Sequence, residues 1–173
     1  MLITASIVLF KNPKDIVQHV INSFLNSSLN LHLYLIDNSP TDNLRGCFSD
    51  IRITYFHNPS NPGFGASHNL ALKKSIDLNS DYHLVLNPDV YFNSGTLENI
   101  IPFMESHPEI GHLMPKILYP NDDFQYLCKT NPTFFDLFAR GFMPQFLKKF
   151  FKRRLDKYEY RSKNFNEIIF DIP

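Results

Sequence analysis

Two residues in the stretch "LVLNPDVYF", Asn87 and Asp89, carry side-chain oxygens two positions apart. In extended chain such side chains point the same way, and Pro88 keeps Asn87 extended. A pair of oxygen donors at the end of a strand suits a hard divalent cation, Mg²⁺ or Mn²⁺. Such an ion takes one or two protein carboxylates and fills the rest of its shell with phosphate oxygens and water, which a nucleoside diphosphate would supply. The segment "HNPSNPGFGASHNLAL" adds a second signal. Gly63 and Gly65 let the backbone approach a ligand without a Cβ in the way, and the helix that starts there directs unpaired N–H groups and about half a positive charge at it. A turn whose glycines only permit tight helix packing is the plainer reading. The third group is Asp37-Asn38-Ser39, after a run of strand type.

None of these is a familiar nucleotide loop. No Gly-Lys-Ser/Thr follows the glycines, and "GFGASH" lacks the third glycine of the dinucleotide fingerprint and follows the third strand, not the first. The seven histidines show no helical i, i+4 metal spacing with an intervening Glu. Only His68 lies beside the glycine loop, as a candidate ligand contact. No serine sits in a nucleophile elbow, which leaves covalent hydrolase chemistry without support. Cys47 and Cys128 are too far apart for a zinc or redox motif and read as ordinary thiols of a reducing compartment.

The elements that must position these residues follow from the apolar pattern. "ITASIVLF" is a continuous apolar run, expected as a strand covered on both faces. Asn12 as cap and Pro13 at the first helical position announce a helix with Ile16, Val17, Val20, Ile21, Phe24 and Leu25 on its buried face. "LHLYLI", "IRITYF" and "YHLVLN" read as further strands, residues 63–77 and 95–106 as helices, and "IGHLM" and "FQYLC" as possible short strands. Strands alternating with helices imply right-handed crossovers and a mainly parallel sheet with helices on both faces, an α/β fold. In such a sheet ligands bind beyond the carboxyl ends of the strands, where Asp37, the glycine loop and Asp89 all fall. The expected organisation is one compact body, with an α/β core over 1–120 and a helical extension over 121–173.

The net charge of zero hides an asymmetry: residues 1–133 hold 8 Lys and Arg against 12 Asp and Glu, and residues 134–173 hold 9 against 5. The basic excess sits in "FLKKFFKRRLDK", where aromatic and basic residues mix over 146–154. That mixture suits an anionic membrane surface or an acidic partner, and equally a helix that covers the core. No apolar run reaches the roughly 18–20 residues of a membrane span, and no signal peptide is recognisable. The expected location is cytoplasmic, at most against the inner face of a membrane, with no nucleic-acid partner.

The order "ASIVLFKN", "LYLIDNSPTD", "NPGFGASHNLAL", "YHLVLNPDVYF", "IGHLMPKILYPNDDFQYLCK", "NPTFFDLFAR" resembles the family 2 glycosyltransferases, in particular their bacterial rhamnosyltransferase-like branch, which builds surface polysaccharides. The resemblance implies a GT-A fold, a nucleotide-diphospho-sugar donor, a glycan or lipid-linked glycan acceptor, a divalent metal and inversion at the anomeric carbon. By the same resemblance Val8, Phe10 and Asp37 flank the nucleotide base, with Asp37 accepting from its ring N–H. Asn61, Gly63 and Asn69 match the family's loop near the ribose and diphosphate, and Asn87-Pro88-Asp89 stands at its Asp-x-Asp motif with Asp89 as the principal metal ligand. Asn in place of the first Asp weakens the affinity expected for free metal. The resemblance also implies an acceptor segment and an acidic motif carrying the general base, expected beyond Pro173. Donor binding is therefore expected to outlast catalysis. An inactive nucleotide-sugar-binding module and a nucleotidyltransferase are the rival readings; the latter lacks a Gly-rich basic loop after the first strand.

Overall fold

The computed structural model describes residues 1–127, 133–144, 150–159 and 161. They fall into two compact units, Met1–Ile110 and Gly111–Pro173. The division comes ten residues before the boundary expected at 120.

The first unit carries every residue singled out for a ligand. Its strands are β1 (Ile3–Leu9), β2 (Leu31–Asp37), β3 (Ile53–His57) and β4 (Tyr82–Leu86); its helices are α1 (Lys14–Leu25), α2 (Phe64–Asp77) and α3 (Thr96–Ser106). The sheet order is β3-β2-β1-β4, and every pairing is parallel. β1 is buried along its whole length, as its unbroken apolar run requires of a central strand covered on both sides. Alternation then divides it. Ile3, Ala5, Ile7 and Leu9 face a core formed with Val17, Val20, Ile21 and Phe24 of α1 and Leu97 and Ile101 of α3. Val8 faces the other way, into a smaller cluster with Tyr34, Ile36 and Ala71 of α2. The chain steps from β1 to β2 in one direction and returns from β3 to β4 over both. Right-handed crossovers therefore put α1 and α2 on opposite faces.

Four local expectations are corrected. Asn12 does not cap α1: its side-chain oxygen accepts from the Phe10 N–H at 2.8 Å, and Pro13 takes the cap position in extended conformation without a side-chain hydrogen bond. Ile16 is 42% exposed because the buried stripe is the narrower set 17, 20, 21 and 24. "IGHLM" forms no strand. "FQYLC" contributes one isolated antiparallel bridge, Leu118 to Phe124, closing a turn in which the Asp122 N–H donates to Tyr119 O at 2.9 Å. Asp123 O accepts from the Tyr119 N–H at 2.7 Å, so Asp122 and Asp123 both belong to this turn; Cys128, at the end of the stretch, lies outside the described residues.

In the second unit, α4 (Phe134–Gly141) and α5 (Lys152–Tyr158) are the helices among the described residues. Phe135 packs edge-on against Phe151, and the Arg154 guanidinium lies 4.5 Å from the Phe135 ring centre. Of the basic aromatic stretch 146–154, residues 146–149 lie outside the described residues; Phe150 is exposed.

Candidate functional site

The sheet order supplies the site. β1 and β4 are neighbours in an all-parallel sheet, so the loops after them leave at the same, carboxyl edge, the edge beyond which open α/β sheets bind ligands in a crevice. Leu9 pairs with Asp37 and Asp37 with His57, while Ile7 pairs with Leu86. Asp37, the glycine loop and Asn87-Pro88-Asp89 therefore leave the sheet at one edge. β1 alone separates β2 from β4, which puts the ends of those strands about 10 Å apart at the usual spacing. A cavity of about 800 Å³ lies elsewhere in this unit, lined by residues such as Gln18, His19, Arg52 and Tyr91, and includes none of these groups.

The loops at this edge are tied to one another through Asp37, Asn38 and Ser39. The Asn38 N–H donates to Leu9 O at 2.9 Å, and the Asn58 N–H to Asp37 O at 2.7 Å. Ser39 Oγ accepts from the Lys11 N–H at 2.8 Å, and the Ser39 carbonyl from His57 Nε2–H at 2.9 Å. The Asn38 amide donates to Ser67 Oγ at 2.8 Å, which joins the turn to the first turns of α2. One three-residue turn thus fixes the exits of β1 and β3 and the start of α2.

Asp37 is fully buried, and both of its carboxylate oxygens are engaged. Oδ1 accepts from the Ser39 N–H at 2.9 Å and Oδ2 from Tyr55 OH at 2.7 Å. Tyr55 OH also lies 2.8 Å from Asp42 Oδ1, and Asp42 pairs in turn with Arg45. Burial first, and then the two carboxylates, push the Tyr55 phenol far up, so it stays protonated as a donor. Asp37, expected to flank the base, is buried, and its carboxylate organises the turn. Val8, expected beside the base as well, lies in the cluster beneath α2. Phe10 is half exposed at the end of β1, with the Lys11 ammonium 5.3 Å from its ring centre.

Gly63 caps α2 with φ +95°, a conformation that favours glycine. A Cβ added at Gly63 or Gly65 would meet nothing within 4 Å, so neither glycine is there for tight helix packing. No side chain caps α2, and its first turn holds no acidic residue, leaving the positive end of a 14-residue helix open toward the crevice edge. Asn61 and Asn69 are exposed on either side of this end. Asn61 takes φ +44°, and its N–H donates to Asn58 O at 3.1 Å.

His68 is buried, not exposed to the loop. Its Nδ1 lies 2.7 Å from Ser6 Oγ of β1, and the Phe64 ring packs edge-on against it at 4.3 Å. Asn87 and Asp89 are exposed in the turn after β4, which the Val90 N–H closes onto Asn87 O at 3.3 Å. No cluster of three or more His, Cys, Asp or Glu side chains able to hold a metal occurs among the described residues. Asp89 with Asn87 supplies too few donors to bind an ion alone, but fits the mode in which diphosphate oxygens complete the shell.

Residues 6–167 match the sequence family described as Glycosyl transferase family 2. The chain belongs to that family. Two crystal structures of S. aureus TarS share its fold. One has 18% identity and a TM-score of 0.50 over 69% of this chain and 24% of that one; the other, of TarS 1-349, has 17% identity and a TM-score of 0.52 over 69% and 40%. At that identity the likeness speaks for the GT-A fold alone. This family 2 chain spans less than half the length of either TarS chain, and no curated protein sequence matches it.

Sequence reasoning missed Tyr55, Asp42 and Ser67 as partners in the site, together with Ser6 and His83 beneath it. For Ser6 a signal was present: Thr4 and Ser6 interrupt an apolar run at a spacing of two, which marks one face of β1 as polar.

Proposed function

We propose that this chain is the donor-binding part of an inverting glycosyltransferase of the rhamnosyltransferase-like branch, one that takes a sugar from a nucleoside diphosphate and adds it to a growing surface polysaccharide. The observation that carries the reading is that Phe10, the uncapped start of α2 at Gly63, and Asn87-Pro88-Asp89 all stand at the carboxyl edge of the parallel sheet, where β1, β3 and β4 end. Phe10 offers an aromatic face to the base. Asn61, Gly63 and Asn69 surround the end of α2 that meets the diphosphate, where helix N–H groups and the helix dipole favour negative charge. Asp89, with Asn87 beside it, would hold Mg²⁺ or Mn²⁺ against the same phosphates. A bound metal supplies charge stabilisation to the departing nucleoside diphosphate. Asp37 acts at one remove, by holding Ser39 and Tyr55 so that the exits of β1 and β3 keep their places. In such a transfer a general base deprotonates the acceptor hydroxyl as it attacks the anomeric carbon.

Calorimetric titration with a panel of nucleoside diphosphates and nucleotide sugars, with and without Mn²⁺, tests the donor site. Binding of at least one diphosphate should strengthen about tenfold or more with metal, and Asp89→Ala should abolish that gain. Diphosphate binding indifferent to metal and to Asp89→Ala would remove Asp89 from the site.

If the acceptor glycan is carried on a lipid, the basic aromatic stretch 146–154 has a membrane to meet at the cytoplasmic face. No helix among the described residues is long and apolar enough to cross one. Liposome flotation should then show binding that requires anionic lipid; equal and negligible recovery with neutral and anionic vesicles would withdraw the membrane contact.

A further inference from the structure

Beneath α2, five polar side chains run in series from the interior of the sheet to the helix that starts the donor loop. Thr4 and Ser6 of β1, Ser75 of α2 and His68 of α2 are all buried, and His83 of β4 stands beside Thr4 in the pairing register. His83 Nδ1 lies 2.8 Å from Thr4 Oγ1 and 2.7 Å from Ser75 Oγ. Its Nε2 lies 2.8 Å from Ser6 Oγ, and the same Ser6 oxygen lies 2.7 Å from His68 Nδ1. The series stops there, because His68 Nε2 is buried and has no hydrogen-bond partner. An imidazole that is 96% buried with one ring nitrogen unpaired is unusual, since buried polar atoms are almost always satisfied.

Proton counting constrains the series. A serine hydroxyl has one hydrogen, and Ser6 lies between two ring nitrogens. Burial pushes the pKa of both imidazoles down, that of His83 to about 4, with the neighbouring His68 as a smaller cause there. Both rings are thus neutral at pH 7, and each carries one N–H. If His83 Nε2–H donates to Ser6, then Ser6 donates to His68 Nδ1, and the His68 proton must sit on Nε2. If His68 Nδ1–H donates to Ser6, then Ser6 donates to His83 Nε2, and the His83 proton must sit on Nδ1, facing Thr4 and Ser75. A serine oxygen can also accept from both rings, but Ser6 Oγ has no other hydrogen-bond partner among the described residues, so its one hydrogen goes to one of them. The two rings then share a tautomer, both Nε2–H or both Nδ1–H. The choice decides whether the unpaired end of His68 is a donor or an acceptor.

We propose that this series is a tautomer relay whose outer end, His68 Nε2–H, donates to an anionic oxygen of the donor diphosphate at the start of α2, with Ser6 and His83 as the positioning residues that hold it in that form. The proposal rests on the donor-site reading above. An anion selects the state in which both rings are Nε2–H, and through Ser6 that selection reaches His83 in the interior of the sheet. The Phe64 ring, half exposed and packed on the imidazole, is the neighbour that must turn aside for the anion to reach His68.

The experiment is NMR of the ¹⁵N-histidine-labelled chain at pH 7.5, titrated with inorganic pyrophosphate and Mg²⁺, with His68 and His83 assigned by His68→Gln and His83→Gln. Both rings are expected in the Nε2–H tautomer. Pyrophosphate should move the signals of both, and in Ser6→Ala only those of His68. His68→Gln should weaken pyrophosphate binding about tenfold. Opposite tautomers in the wild type, a charged ring at pH 7.5, or pyrophosphate that moves neither ring would overturn the relay, and the wild-type spectra decide this even if Ser6→Ala fails to fold. If calorimetry finds diphosphate binding that depends on Asp89 while His68 stays unmoved, the relay falls and the donor site stands. If no diphosphate binds at all, both fall.

Discussion

Asp37→Ala is expected to lower the unfolding free energy by about 1–3 kcal/mol, because it leaves the buried Ser39 N–H without its acceptor and strips Tyr55 OH of one of its two. The Ser39 N–H and Tyr55 OH both end on the Asp37 carboxylate, which is fully buried. A buried donor left without an acceptor costs about 1–3 kcal/mol, and Tyr55 keeps only its second contact, to Asp42. Asp37→Asn provides the contrast. Its amide oxygen can accept from Ser39, while its NH₂ donates to Tyr55 OH, which still donates to Asp42, so a loss of about 1 kcal/mol or less is expected. The same substitutions should act on ligand affinity, since Ser39 also holds Lys11 and His57. Urea unfolding with both variants reads the difference directly in the midpoints. Asp37→Ala within 0.5 kcal/mol of the wild type would mean that the turn does not depend on the carboxylate.

The contrast between what the sequence announced and what it concealed is sharpest at this residue. The existence of β2 and its exit at Asp37 followed from "LHLYLI" and the turn-forming residues after it. Whether the side chain faces solvent did not. Asp37 lies on the same alternating face as Leu33 and Leu35, beside Tyr55 of β3, and the register that brings Tyr55 there is a property of two strands 18 residues apart. Local pattern finds strands; it does not find who stands beside whom. The relay under α2 has the same character. Thr4 and Ser6 are visible as polar interruptions, but their partners His83, Ser75 and His68 come from β4 and α2, more than 60 residues away.

Other departures have different causes. Ile16 belongs to the right helix and the right flank, yet α1 buries only its narrow stripe, so the residue at the rim stays open. "IGHLM" has a strand's composition, but composition does not say whether another strand will offer an edge to it. By contrast, the parallel order and the placement of helices on both faces followed from strand and helix alternation plus the handedness of crossovers, which depend on no individual contact. The crevice edge was legible for the same reason. The positions of Asp89, Gly63 and Phe10 along it are set by where strands end, not by what their side chains touch.

Lowering the pH from 7.5 to 4.5 is expected to destabilise the chain by about 2–4 kcal/mol, in a window set chiefly by histidine. Burial pushes His32, His68 and His83 below the ordinary 6.5, His83 to about 4. The unfolded chain takes up protons at these rings near pH 6.5, while the folded chain refuses them until lower pH. Stability therefore rises with pH through this interval, is complete above 6.5, and falls as pH drops toward 4. His83 alone could contribute roughly 3 kcal/mol from its shift at 1.36 kcal/mol per unit; partial solvent access brings this to about 1–3. Carboxylates act in a separate, lower window. Asp50, held at about 2 chiefly by its hydrogen bonds from Arg52, contributes stability above 3.8 that is lost only as pH falls toward 2. Thermal melts followed by circular dichroism should show a fall of about 10 °C between pH 7.5 and 4.5. In His83→Gln the decline over that interval should be shallower, whatever its starting value, because one proton-refusing group has gone. A melting temperature flat from 7.5 to 4.5 would mean that the folded chain accepts these protons freely, and the two neutral imidazoles on either side of Ser6 would lose their basis.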